Sequence, residues 1–395
     1  MGHRGHREGV PPAIRRTLTV AAAFLAMVTI VWMVLLRPSG DRREQARAAL
    51  RQAGVVERTV RGTVTRVAEG PCAGTAASEN IRCRAARIRI DEGPDRGAQT
   101  RIEFPLIASS PALEEGDRVV LGRSPGAQPG FEYRFVDRER RGVLIALAVA
   151  FALAVVLLGR LRGAAALVGL LASLLVLLTF VLPAIIEGRD PLLVSVFGAA
   201  AIAFLALYLA HGFTVMTTVA LLGTLASLAL TAVLAKVFVA VAAITGFASE
   251  EATLVNIGAA QIDLAGLVLG GIVIGALGAI DDMTVTQASA VWELRAANPR
   301  MPIRELLRAG LRIGRDHVAS TVNTLALAYA GASMPLLVLF VLSDQSFLQV
   351  ANGEVVATEI LRTLVGSIGL VASVPITSWL AVHTVPAERG GRVRG

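Results

Sequence analysis

The sequence predicts a mainly α-helical integral membrane protein of about eight transmembrane helices, with a small extracytoplasmic β-barrel of OB-like type between the first and second. Three observations carry this. The chain is 54% apolar with a mean hydropathy of +0.63, against ~45–50% apolar residues in soluble domains. The excess gathers in runs of about twenty residues, enough to cross ~30 Å of hydrocarbon as helix. Between the first and second run lies a hydrophilic stretch whose apolar residues alternate with period two.

Residues 1–16 form a basic cytoplasmic N-terminus carrying Arg4, Arg7, Arg15 and Arg16. The run at 17–36 is longer than a signal-peptide core, and no small-residue cleavage site precedes Arg37. It reads as an uncleaved anchor with its N-terminus inside. Residues 37–141 form the extracytoplasmic β-rich domain. "DRREQARAALRQ" at 41–52 reads as a helical stalk. "VRGTVTRVAE", "CRAARIRIDE", "QTRIEFPL", "DRVVLGRS" and "FEYRFVD" read as five short strands, separated by turn signals such as "EGP" and "GAQPG". Seven further runs follow at 142–159, 164–186, 191–210, 213–240, 264–282, 317–342 and 358–383, making a bundle over 142–383. Residues 384–395 form a basic cytoplasmic tail.

The net charge of +8 is explained by topology. "GRLRG", the 283–316 segment with Arg295, Arg300, Arg304, Arg308, Arg312 and Arg315, and the tail with Arg389, Arg392 and Arg394 all fall inside. Glu187, Asp190, Glu250, Glu251, Asp344 and Glu354 fall outside. This obeys the positive-inside rule, apart from "RERR" at 138–141, which caps a folded ectodomain. No segment interleaves aromatic and basic residues as nucleic-acid binding requires, so no nucleic-acid partner is expected. The same alternation puts Cys72 and Cys83, the two cysteines of the chain, on the extracytoplasmic side, where a disulfide persists.

The most informative stretch is "GALGAIDDMTVTQASAVWEL", 275–294. Charge at the edge of hydrocarbon is expensive, yet Asp281 and Asp282 sit there side by side. On a helix, Gly271, Gly275, Gly278, Asp282, Thr286, Ser289 and Glu293 line one face. Small residues admit a second helix closely, so Asp282 is expected in a helix–helix interface or a cavity open to the cytoplasm. The next span begins "RIGRDHVASTVNTLALAYAGAS". Asp316, Ser320 and Asn323 form one stripe, with His317, Thr321 and Thr324 beside it and Arg315 at the mouth. Together the two helices would gather Asp281, Asp282, Arg315, Asp316, Thr321 and Asn323 into one polar pocket. The competing reading is a solvated helix end whose carboxylates balance nearby arginines. Between these helices, "MPIRELLRAGLRIGR" puts Arg304, Arg308, Arg312 and Arg315 on one face. It reads as an interfacial helix on an anionic leaflet, or else as a binder of an anionic solute.

Other polar residues have bland explanations. Lys236, the single lysine, lies near a helix end, where such side chains snorkel to the headgroups. Ser249 with Glu250 and Glu251 reads as an N-cap with first-turn acids. His3 and His6 lie in the basic tail, and His211 lies in a tight loop. Pro183, Pro335 and Pro375 are positioned to kink their helices. No P-loop and no HExxH motif occurs, so ATP-driven transport by this chain, a metal site and a cofactor are not expected.

The segments "SEEATLVNIGAAQIDLAGLVLGGIVIGALGAIDDMTVTQASAVWEL" and "IGRDHVASTVNTLALAYAGASMPLLVLF" resemble the YibE/F-like family of bacterial membrane proteins, over most of 142–383. The resemblance implies a multi-pass permease of the bacterial cell membrane and supplies no catalytic residues. "GALGAIDD" is also similar to the acidic helix of resistance–nodulation–division and SecD/SecF proteins, which would match Asp281 and Asp282 to a proton-coupling pair. This chain departs from those proteins in its small ectodomain, its additional early spans and its lack of a lysine partner.

The expected function is therefore a proton-coupled secondary transporter or permease, not an enzyme. The coupling groups would be Asp281, Asp282, Asp316 and Arg315, and the pocket would be lined by Thr286, Ser289, Glu293, Thr321 and Asn323. Its partners would be an anionic leaflet through Arg304, Arg308 and Arg312, a small solute or ion, and a second copy or another membrane protein. The alternative is a non-transporting scaffold or assembly factor acting through its ectodomain. An intramembrane aspartyl hydrolase using Asp282 and Asp316 would need both carboxylates to share a proton, and the chain lacks a convincing protease-like GxGD match.

Overall fold

The structure, a computed structural model, describes residues 10–52, 58–72, 82–108, 110–124, 132–248, 250–258, 262–342 and 346–386. The readings placed on Arg4, Arg7, His3, His6, Ser249, Asp344 and the tail arginines, and on the side chains of Glu250 and Glu251, lie outside the described residues.

The hydrophilic stretch folds as the alternation predicts. A helix, α1 (Pro12–Leu35), and a polar helix, α2 (Asp41–Gln52), precede β1 (Arg58–Pro71), β2 (Arg82–Ile90), β3 (Gln99–Pro105), β4 (Arg118–Arg123) and β5 (Tyr133–Arg138). The strands make one antiparallel sheet in the order β3-β2-β1-β4-β5. Alternate residues turn inward, and Val60, Val64, Ile88, Ile90, Val119 and Leu121 form its core. Bulges between Val64 and Arg66 and between Val120 and Leu121 sharpen the twist. The sheet curls until Phe104 of β3 meets Phe135 of β5 edge to face, ring centroids 5.3 Å apart. A Cβ at Gly62 would lie 2.7 Å from Ile88 Cγ2, so the tightest part of the curl needs glycine there. Asp95 accepts from Arg123 Nε at 2.9 Å and from the Tyr133 hydroxyl, tying the β2–β3 turn to β4 and β5. The Tyr133 hydroxyl and the Arg123 guanidinium hold the Asp95 carboxyl below its usual range.

Cys72 and Cys83 form a disulfide, joining the end of β1 to the start of β2. Closing a loop of this length removes about 2–3 kcal/mol of unfolded-chain entropy. Cys72→Ser with Cys83→Ser is expected to lower the stability of the β domain by that amount, read as earlier protease cleavage within 58–138 of the full chain on heating.

The membrane part is built from α3 (Arg141–Val176), a π-turn (Leu177–Val181), α4 (Leu182–Ile186), α5 (Pro191–His211), α6 (Val215–Val241), α7 (Glu250–Gly258), α8 (Leu264–Ala297), α9 (Ile303–Ala332), α10 (Met334–Leu342), α11 (Phe347–Asn352) and α12 (Glu354–Thr384). Among the described residues six helices are long and apolar enough to cross a membrane, or seven if α9 and α10, bent by 67°, make one span. Two expected spans, 142–159 and 164–186, lie within one 46-residue stretch, Arg141–Ile186. As a straight helix it would be ~69 Å long, over twice the hydrocarbon thickness. It is not straight: Arg160 has φ 52° and ψ −132°. A Cβ on Gly163 would lie 2.3 Å from the Val155 carbonyl oxygen, an approach no continuous helix permits.

The α8 helix runs past the apolar run to Ala297, as the helical stripe read out to Glu293 requires. One further boundary corrects the sequence reading. The amphipathic segment expected as a separate interfacial helix is the beginning of α9, continuous with the span. Its apolar side, Leu306, Ala309, Gly310 and Gly314, is buried, while Arg304, Arg308 and Arg312 are exposed. Of the three prolines, Pro183 follows the π-turn, Pro335 opens α10 just past the bend, and Pro375 lies inside an unbroken α12.

Contacts between helices set their directions. Gly266 and Gly270 of α8 lie against Pro191 and Ser195 of α5, Gly223 of α6 lies against Thr377 and Thr284, and Gly369 of α12 lies against Thr231 and Ile280. Thus α5, α8 and α12 run one way, and α6 runs the other. Gly310 and Gly314 of α9 meet Val291 and Val374, and Tyr329 meets Gly275, so α9 runs with α6. Leu18 packs with Val219, Val291 and Val382, and Leu36 packs with Phe180 and Val194, so α1 does the same.

One end of this bundle is held by carboxylates. Glu187, buried after α4, accepts from the Ser39 and Gly40 backbone N–H groups and from Ser39 Oγ at 3.0 Å, while Arg42 Nη1 donates to its carbonyl at 2.8 Å. Glu354 accepts from Thr245 N at 2.8 Å and Gly246 N at 2.6 Å. Burial works against ionised Glu187, but the Gly40 and Ser39 donors outweigh it and hold its carboxyl below the usual range. A carboxylate lowered in the folded state adds stability above its unfolded pKa of ~4.3, and that stability is lost as pH falls through the lower folded value. The unfolding midpoint of the full chain should therefore hold steady from neutral pH and drop below about pH 4. Glu187→Gln should cost about 1–3 kcal/mol at neutral pH and remove that part of the acid dependence.

Candidate functional site

The α8 helix presents two different faces. One carries Leu277, Ile280, Met283, Thr284, Gln287, Ala288 and Val291, all buried against α6 and α12. The other carries the predicted stripe, Gly271 to Glu293. Asp281 belongs to the edge of the first face and Asp282, ~100° further round, to the second.

Asp281 is half-buried. Its Oδ1 lies 3.4 Å from Thr224 Oγ1 of α6. Thr224 is fully buried and shares a 2.7 Å hydrogen bond with Thr284 Oγ1, which also donates to the Asp281 carbonyl at 3.0 Å. The approach of α12 brings Thr377 to the same level, since a Cβ on Gly223 would lie 2.2 Å from Thr377 Oγ1 and 3.5 Å from Thr284 Cγ2. Buried Ser227, Thr231, Ser373 and Ser378 continue this hydroxyl lining along α6 and α12. The hydroxyls of Ser227 and Thr377 have no hydrogen-bond partner among the described residues. Below Asp281, Gln287 Nε2 donates to the Gly310 carbonyl at 2.8 Å and to Ser378 Oγ at 2.7 Å, joining α8, α9 and α12. Among the described residues no arginine, lysine or histidine forms an ion pair with Asp281.

The sequence expects Asp282 in a helix–helix interface or a cavity open to the cytoplasm, and the structure places it on the surface instead. Asp282 is exposed, as are Arg315, Asp316, Asn323 and Glu293. Thr286 and Ser289 are half-buried on the glycine face, and Thr321, also half-buried, donates to the His317 carbonyl at 2.9 Å. Among the described residues none of them hydrogen-bonds or pairs with Asp281. The glycine stripe does receive α9, but through Tyr329, whose Oη would be 2.8 Å from a Cβ on Gly275, and nothing lies within 4 Å of such an atom on Gly278. Lys236 is exposed near the end of α6.

Sequence reasoning missed the α6 and α12 contributions. The signal existed: Thr224, Ser227 and Thr231 fall at i, i+3 and i+7, and Ser373, Thr377 and Ser378 lie on facing turns of α12. It also missed a second charged group in the bundle. Arg362 Nη1 pairs with Glu359 Oε1 at 2.7 Å on α12, beside Gly271.

This arrangement defines a multi-helix membrane protein with a carboxylate and hydroxyl centre between three of its helices. The chain belongs to the YibE/F-like protein family, whose model matches residues 147–387, the whole of the helical bundle beyond the first turns of α3. No curated protein and no solved structure matches the chain.

Proposed function

We propose that this protein is a proton-coupled secondary transporter in which Asp281 binds and releases the coupling proton. The observation that carries the reading is the setting of Asp281: a carboxylate on a spanning helix, without a cationic partner among the described residues, held by Thr224 where α6, α8 and α12 converge. Ionisable groups placed so mark ion or proton pathways. Asp282, Asp316 and Arg315 lie on exposed surface, outside this centre. One end of the bundle carries Arg15, Arg16, Arg300, Arg304, Arg308 and Arg312, and the opposite end carries Glu187, Asp190, Asp263 and Glu354, so the arginine end faces the cytoplasm. Eight crossings follow if Arg141–Ile186 crosses twice, turning at Arg160, and α9 with α10 crosses once. The β domain then lies outside, consistent with its disulfide. We read its curled five-stranded sheet, in which Phe104 of β3 meets Phe135 of β5, as OB-like.

The test is proton movement into proteoliposomes driven by pools of metabolites and ions. Proton uptake that requires both a pool and an intact Asp281 supports the reading. Folded protein that moves protons with no pool would leave the chain as a scaffold acting through its β domain.

A further inference from the structure

A cleft of about 460 Å³ lies between α1, the last turns of α5 and the first turns of α6. Its inner part is apolar: Ala22, Ala23 and Ala26 leave α1 shallow there, and Phe204 faces them. Its outer part is polar and aromatic. Tyr208 stacks on Phe213 with ring centroids 4.5 Å apart, and the Tyr208 hydroxyl shares a 3.1 Å hydrogen bond with Thr218 Oγ1. Arg15 stands at this end. It is exposed, and among the described residues it has no ion pair. Among the described residues no acidic side chain lines the cleft. From Arg15 to Ala26 the cleft follows α1 for ~16 Å, with the cation at the end of the bundle and the apolar wall running toward its middle.

We propose that this cleft binds one anionic phospholipid, with the phosphate on Arg15 and an acyl chain along Ala22, Ala23 and Ala26. Basic pockets between membrane helices take anionic headgroups, and a guanidinium makes charge-assisted, bidentate bonds to phosphate oxygens. The Tyr208 and Thr218 hydroxyls, bonded to each other and to the Thr214 carbonyl, keep this end of the cleft polar. A free phosphate would satisfy Arg15 alone and leave the apolar wall of Ala22, Ala23, Ala26 and Phe204 without a partner, so the chemistry selects an amphiphile. The site is distinct from the exposed arginine face of α9. It holds a single lipid between helices, where α1 joins the bundle, and so makes the docking of α1 depend on lipid.

The test is native mass spectrometry of the full chain in detergent, titrated with phosphatidylglycerol, phosphatidylcholine or inorganic phosphate. The expected result is one tightly retained phosphatidylglycerol, with phosphatidylcholine and phosphate held at least tenfold more weakly. Arg15→Gln should weaken retention tenfold or more. Ala23→Phe, which fills the cleft from an exposed position and keeps the charge, should do the same. Arg304→Gln with Arg308→Gln should leave the retained lipid in place. Retention in both cleft variants equal to the native chain would overturn the proposal and assign Arg15 to the general lipid annulus. So would phosphatidylcholine binding as tightly as phosphatidylglycerol.

Discussion

Asp281→Asn is expected to reduce solute-driven proton uptake to the level of empty liposomes, while Asp282→Asn leaves it within about twofold, as exposed substitutions generally do. The amide keeps the size of Asp281 and can still meet Thr224, so folding should be preserved and the loss confined to proton exchange. The contrast between neighbours is the informative part. Both residues are acids at the same depth, so a general effect of negative charge would move both. Only the α6-facing carboxylate is enclosed by Thr224 and Thr284. Thr224→Val removes the hydroxyl partner at nearly constant volume and should give partial loss. If Asp282→Asn proved the damaging change, the glycine face rather than the hydroxyl face would be the working one.

Gly369→Ala is expected to destabilise the bundle by about 1–3 kcal/mol, the usual cost of overpacking, even though alanine is the better helix former by ~1 kcal/mol. A Cβ at Gly369 would lie 1.9 Å from Thr231 Oγ1 and 3.4 Å from Ile280 Cδ1. Threonine is stiff about χ1, so α6 and α12 must separate to admit it. Thr231→Ala in the same chain removes the obstructing hydroxyl and should restore most of the stability, measured as the unfolding midpoint in detergent. The same separation would draw Thr377 away from Gly223 and loosen the enclosure of Asp281, so proton uptake should fall with stability in the single variant and recover in the double. An unchanged midpoint in Gly369→Ala would mean that α6 and α12 are not in close contact.

How much of this could be read in the sequence follows from how many residues decide each feature. The strands of the β domain and the polar helix at 41–52 were legible because alternation and turn residues act locally. The disulfide was legible because topology and cysteine count agreed. The turn at Arg160 was legible only as a gap between two apolar runs. The start of α9 was misjudged because hydropathy marks the apolar part of a helix and not its ends. The exposure of Asp282 was not legible for a different reason. The stripe from Gly271 to Glu293 is regular, and its regularity says that a helix can approach, but not which one. The choice was made by Gly223 and Gly369, which bring α6 and α12 together far from α8 in sequence, and by Thr224, whose hydroxyl meets Asp281. Arg362 carries little signal in the sequence, because its partner Glu359 lies one turn away on the same helix, a spacing that exposed pairs share.

The most direct measurement is infrared difference spectroscopy of the reconstituted full chain through a change of pH, recorded for the native protein, Asp281→Asn and Asp282→Asn. The account predicts a carboxyl C=O band that rises and falls with pH in the native protein and in Asp282→Asn, and that is absent from Asp281→Asn. Identical difference spectra for the native protein and Asp281→Asn would contradict it, because Asp281 would then exchange no proton.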